Sequence, residues 1–143
     1  MLDLYRLYKI PEELRGHDIA YETIPWLAWE RYSTDKESMK QKEPLWAKSA
    51  GWAYLYAHHI INERFPEGED AIATDANHSY WYAVLVLESK FPKGEEIIAK
   101  HADFSYWYTI SIIKGRFPEG EAAIATSEYY SKKYENYLNT RQL

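Results

Sequence analysis

The residues of this sequence with the most obvious capacity for chemistry are its five histidines: His17, His58, His59, His78 and His101. His58 and His59 are adjacent, so on a helix they point to different faces and are poorly placed to bind one metal ion. None of the five recurs at an equivalent position of the repeat described below. The absence of cysteine also removes thiolate metal ligands and cysteine nucleophiles. We therefore predict no metal site, no cofactor and no catalytic residue.

Carboxylates form a second chemically interesting group, and seven of the 22 lie near the predicted starts of short helices: Glu67, Glu69, Asp70, Glu95, Glu96, Glu119 and Glu121. Acid–base catalysis by a carboxylate pair needs one of the two in an apolar pocket that raises its pKa. Glutamates that recur along an exposed edge lack that arrangement, so we predict that the protein is not an enzyme. An acidic ladder could instead imitate nucleic-acid phosphates and block a nuclease or a DNA-binding protein. This alternative stays open, although Lys93, Lys100 and Lys114 interrupt the row.

An internal repeat of 26 residues positions these side chains. Three similar phrases begin at positions 65, 91 and 117: FPEGEDAIATDANHSYWY, FPKGEEIIAKHADFSYWY and FPEGEAAIATSEYYSKKY. Aligning residues 65–90 with residues 91–116 gives eleven identical positions. Self-similarity at such a fixed period is typical of helical repeat proteins.

Each unit has the pattern of a short helix followed by a longer one. The proline of each phrase suits a first helical turn, where its missing N–H costs nothing. Asp75 and Asp103 are predicted to cap the longer helix. Arg64, Lys90 and Arg116 are predicted to lie at its carboxyl end, where a cation is favourable. The sequence therefore predicts an all-α fold, in which αα-hairpins stack as a small solenoid.

We expect a single domain over residues 1–143. It comprises an N-terminal helical cap, a degenerate repeat, two full repeats and a C-terminal capping repeat, which cover residues 1–38, 39–64, 65–90, 91–116 and 117–143. In the last unit Lys132 and Lys133 replace the Tyr-Trp pair of the earlier units. Polar replacement of this kind suits a solubilising cap.

Aromatic residues make up 17% of the chain, and the net charge is −5. Surface aromatics often anchor protein interfaces, so the candidate partner-binding residues are aromatic or flank the repeated phrase. They are Trp26, Trp29, Trp46, Asn77, His78, Asp103, Phe104, Tyr129 and Tyr130. Trp81 and Trp107 could stack nucleic-acid bases, but an acidic chain without a basic groove argues against nucleic-acid binding. The apolar runs are too short to span a bilayer. We expect a cytoplasmic protein that binds another protein, with homo-oligomerisation as an open alternative.

The segment KGRFPEGEAAIA, residues 114–125, together with SYWY in the two preceding units, resembles tandem helical repeats of bacteriophage and other viral proteins. The resemblance covers residues 64–134 well and residues 39–63 loosely, whereas residues 1–38 lie outside it. It transfers no catalytic residue. It implies a viral origin, in which small acidic proteins often bind and block host nucleases or defence complexes. The function expected from it is phage-encoded inhibition of a host defence complex, of an anti-CRISPR or related type. A structural, self-assembling repeat protein is a further alternative.

Overall fold

The computed structural model describes residues 36–142, in which helices are joined by short turns and no strand occurs. The all-α prediction is therefore confirmed for this part of the chain. Its eight α-helices are α1 Lys36–Trp46, α2 Ala50–Leu55, α3 Glu69–Ile72, α4 Ala76–Trp81, α5 Pro92–Ile98, α6 Ala102–Tyr108, α7 Pro118–Ala125 and α8 Glu128–Thr140. Most of the predicted N-terminal cap, residues 1–35, lies outside the described residues.

Four residues at intervals of 26 immediately precede the even-numbered helices: Ser49, Asp75, His101 and Ser127. Asp75 is the cap that the sequence predicts, since its carboxylate accepts a 2.8 Å hydrogen bond from the His78 N–H. The prediction for Asp103 is wrong. His101 holds the cap position of α6, and Asp103 lies in the first turn, where its carboxylate accepts from the Phe104 N–H.

Helices α2, α4 and α6 continue into π-helical segments, Tyr56–Ile61, Tyr82–Leu87 and Thr109–Ile113. Each segment stops at a residue with a left-handed backbone: Asn62, Glu88 or Lys114, at φ of 50°, 51° and 56°. A side chain at such an angle costs roughly 1 kcal/mol, so tertiary contacts must hold the turn in place.

The cations predicted at the ends of these helices, Arg64, Lys90 and Arg116, each lie two residues beyond the left-handed residue instead. Arg64 and Arg116 form ion pairs with glutamates at the start of the next short helix, Glu69 and Glu121. The prediction that they close the preceding helix is therefore wrong. The chain has already turned before it reaches them.

Short and long helices are joined by a hydroxyl contact. The Ser79 hydroxyl donates to the Ile72 carbonyl oxygen at 2.9 Å, and the Ser105 hydroxyl donates to that of Ile98 at 3.0 Å. Both serines are fully buried. Each of these carbonyls also accepts a backbone N–H, from Asp75 or from His101, so the serine supplies a second donor at the end of the short helix.

Glycines allow the successive pairs of helices to approach closely. A Cβ atom added to Gly94 would lie 2.8 Å from Ser79 Cβ and 2.6 Å from Phe91 Cδ2. Gly68 and Gly120 are equally crowded. Accordingly, α3 packs on α2, α5 on α4 and α7 on α6, while the long helices α2, α4, α6 and α8 contact one another in that order. The largest fully buried side chains between them include Trp46, Tyr56, Phe65, Tyr82, Phe91, Tyr108 and Phe117.

Candidate functional site

The structure separates the candidate partner-binding residues into surface and core. Asn77 is exposed and Tyr129 is 61% exposed, whereas His78, Asp103, Phe104 and Tyr130 are half-buried.

Trp46, predicted as an exposed aromatic, is wholly buried, so that prediction is wrong. It takes the place that Ile72 has 26 residues later, and both side chains are core residues. Trp26 and Trp29 lie outside the described residues.

The candidates on the long helices form one set with the rings around them, which we call the aromatic ridge. Its members are Tyr54, Asn77, His78, Tyr80, Asp103, Phe104, Tyr106, Trp107, Tyr129 and Tyr130. Rings touch across each junction: Tyr54 and His78 have centroids 5.7 Å apart between α2 and α4, and Tyr80 and Phe104 5.8 Å apart between α4 and α6. Trp107 and Tyr130 lie 6.2 Å apart between α6 and α8.

The sequence analysis did not single out Tyr54 and Tyr80 as candidate binding residues. Both hold the first tyrosine position of the Ser-Tyr-Trp-Tyr phrase in their unit, and the recurrence of a ring at this position was the available signal. Tyr80 is buried and contacts the rings of Phe104 and Trp107, while Tyr54 is half-buried. Partly exposed rings offer a large contact area at small entropic cost, which suits a protein interface.

Three of the seven carboxylates in the predicted acidic ladder have internal partners instead. Glu69 is only 1% exposed, so the expectation of an exposed ladder is wrong for this residue. Its carboxylate accepts from the Tyr82 hydroxyl at 2.8 Å and from the Arg64 guanidinium at 2.6 Å. The Tyr82 oxygen in turn accepts from the buried Phe65 N–H at 3.0 Å.

The same arrangement recurs twice. Glu95 and Glu121, both half-buried, accept at 2.7 Å from the hydroxyls of Tyr108 and Tyr134. Burial raises the pKa of Tyr108, and the hydrogen bond to Glu95 raises it further. The hydrogen bond from Tyr134 lowers the pKa of Glu121. These carboxylates hold the fold together, because each fixes a tyrosine that in turn satisfies a buried backbone amide.

The remaining ladder residues, Glu67, Asp70, Glu96 and Glu119, are exposed. Asp70 forms an ion pair of 3.0 Å with Lys93, so positive charge is interspersed along this edge. We call these four residues the acidic edge.

Residues 36–142 contain no cluster of three or more side chains able to hold a metal ion. Nδ1 of His78 lies 2.9 Å from the Asp75 carboxylate. Over the same residues, the helices are too short or too polar to cross a bilayer.

Comparison with known proteins gave no matching protein-family model, no matching curated protein and no matching solved structure.

Proposed function

We propose that this protein is a non-enzymatic solenoid of αα-hairpins that binds another protein through its aromatic ridge. The resemblance to viral repeats extends the proposal: the partner is a host defence complex in the cytoplasm, and binding inhibits it. This extension has its support in the sequence phrase alone.

The observation that carries the proposal is that each unit combines internal contacts that recur with surface positions that vary. One set of contacts recurs at intervals of 26 residues and is internal: the tyrosine hydroxyl on the glutamate, the serine on the short helix, and the glycine against the preceding unit. Two positions of the ridge change from unit to unit, one being Asn77, Asp103 and Tyr129 and the other His78, Phe104 and Tyr130, while the tyrosine at positions 54, 80 and 106 is kept. Repeat proteins characteristically keep such a framework and vary the face that binds a partner.

Nucleic-acid mimicry has less support. A mimic needs a continuous negative face, whereas Glu69 is buried and the acidic edge includes the Asp70–Lys93 pair. Charge of mixed sign weakens imitation of a phosphate strand.

Capture from a bacterial lysate with two matched variants tests the proposal. The ridge variant combines Asn77→Ala, Phe104→Ala and Tyr129→Ala, and the edge variant combines Glu67→Gln, Glu96→Gln and Glu119→Gln. We expect the edge variant and the unchanged chain to retain the same protein and the ridge variant to lose it. With purified components, the edge variant and the unchanged chain must bind that protein with similar affinity, and the ridge variant must bind it more weakly.

Loss of the partner with the edge variant alone would instead support mimicry. Sedimentation of the three purified proteins tests the self-assembly alternative, since a ridge-dependent dimer without a foreign partner would contradict the proposed function. Urea unfolding of both variants controls for damage to the fold.

A further inference from the structure

One carboxylate of the aromatic ridge faces the junction between α6 and α8. Asp103 precedes Tyr106 by three residues and Trp107 by four, so the three side chains share one face of α6. The rings of Tyr106 and Trp107 both contact Tyr130 of α8, at 5.7 and 6.2 Å between centroids. The Asp103 carboxylate therefore lies beside the rings that form this junction.

Two ring pairs at the junction are nearly perpendicular, while Tyr106 and Tyr130 are tilted by 41°. The interplanar angle is 87° between Phe104 and Trp107 and 86° between Trp107 and Tyr130. All three side chains and Asp103 are half-buried, so each keeps some accessible surface. Perpendicular rings present π faces, whose negative potential attracts a cation.

The neighbouring part of the ridge already holds a cation in this way. Lys133 Nζ lies 5.0 Å above the centre of the Tyr129 ring. Lys133 occupies in α8 the position that Trp107 occupies in α6. Desolvation raises the pKa of Tyr130, and the charge of the neighbouring Asp103 raises it further.

We propose that Asp103, Phe104, Trp107 and Tyr130 form a cation site that receives an arginine side chain from the protein partner. This inference rests on the proposed protein-binding function. A guanidinium group is planar and weakly hydrated, so it stacks on aromatic rings while donating charge-assisted hydrogen bonds to a carboxylate. The net charge of −5 likewise favours a partner with a basic surface. The Asp103 charge disfavours a nucleic-acid strand at the same rings.

Nuclear magnetic resonance of the full, isotope-labelled chain tests the site with defined probes. The Trp107 indole N–H signal is identified by its loss in Trp107→Phe, and the probes are an acetyl-Gly-Arg-Gly-amide peptide and its citrulline counterpart. We expect saturable shifts with the arginine peptide, with a dissociation constant of about 10 mM for a single side chain. Citrulline has the same shape without the charge and should bind at least about fivefold more weakly.

Asp103→Asn keeps an oxygen that can accept from the Phe104 N–H but removes the charge, and it should weaken arginine binding by about three- to tenfold. Glu119→Gln removes an equal charge from the acidic edge and should leave binding unchanged. Equal binding of citrulline, or no effect of Asp103→Asn, would overturn the inference. So would tighter binding of an oligothymidylate at the Trp107 signal. If the arginine peptide does not bind but the ridge variant still loses its captured protein, the arginine site is rejected and the proposed protein-binding function is retained.

Discussion

Replacement of Gly94 by alanine should destabilise the protein, although the same substitution in a helix normally stabilises it. Gly94 lies within α5, where alanine has the higher helix propensity by about 1 kcal/mol. Here the new methyl group would meet Phe91 Cδ2 at 2.6 Å, Phe91 Cε2 at 2.8 Å and Ser79 Cβ at 2.8 Å. Phe91 and Ser79 are buried, so neither has room to retreat.

Overpacking of a core by a methyl group costs about 1–3 kcal/mol, and three simultaneous contacts place Gly94→Ala at the upper end of that range. Subtraction of the propensity gain leaves a net loss of about 2 kcal/mol. Urea unfolding followed by circular dichroism measures it, and the midpoint should fall by about 1 M for an m-value near 2 kcal/mol/M.

Gly51 supplies the matched control, because it also lies in a helix but a Cβ there would meet its nearest neighbour, His78 Nε2, at an ordinary 3.8 Å. We expect Gly51→Ala to be neutral or stabilising by up to about 1 kcal/mol. Gly94→Ala as stable as Gly51→Ala would refute the close packing of α5 on α4.

Three further predictions concern the tyrosine–glutamate contacts. Tyr108→Phe should lower the free energy of unfolding by about 2 kcal/mol, because a buried N–H and a carboxylate both lose a partner; Tyr129→Phe, at an exposed ring, should change it by less than about 0.5 kcal/mol. Burial raises the pKa of Tyr82 and Tyr108, so above about pH 10 only the unfolded chain loses these protons and stability should fall as pH rises. The chain has 14 tyrosines, so the relevant signal is the step of tyrosinate absorbance contributed by Tyr82 and Tyr108, which should coincide with loss of helix measured by circular dichroism. Glu69→Gln should cost about 2 kcal/mol and Glu119→Gln almost nothing, as urea unfolding can establish.

The elements of the fold were accessible from the sequence because their signals are local. The cap at Asp75 follows from one side chain and its own backbone, and the helix starts at Pro92 and Pro118 follow from the fixed φ of proline. The π-helical segments and the left-handed residues were not predicted, because Glu88 and Lys114 are not residues that favour a positive φ. Backbone hydrogen bonds back into the π-helical segment accompany that conformation, from the Lys114 N–H to the Thr109 carbonyl at 2.7 Å and from the Ser89 N–H to the Ala83 carbonyl at 3.2 Å.

The burial of Glu69 was missed for a different reason. A glutamate near a helix start usually serves the helix dipole, and periodicity alone does not distinguish an outward from an inward side chain. A signal was nevertheless present. The degenerate unit lacks the Phe-Pro and Gly positions but keeps Glu43 and Tyr56, which form the same hydrogen bond at 2.6 Å. A pair retained where its surroundings have changed indicates a contact between its two members.

The fit of Gly94 against Ser79 has a consequence for the length of the chain. Gly120 meets Ser105 in the same way, so each serine presents a surface suited to the glycine of whichever unit comes next. Excision of residues 91–116 would bring Gly120 onto Ser79 and so form the same kind of contact between units. Units with interchangeable contacts can be gained or lost whole by recombination, and the aromatic ridge would then lengthen or shorten by one unit at a time.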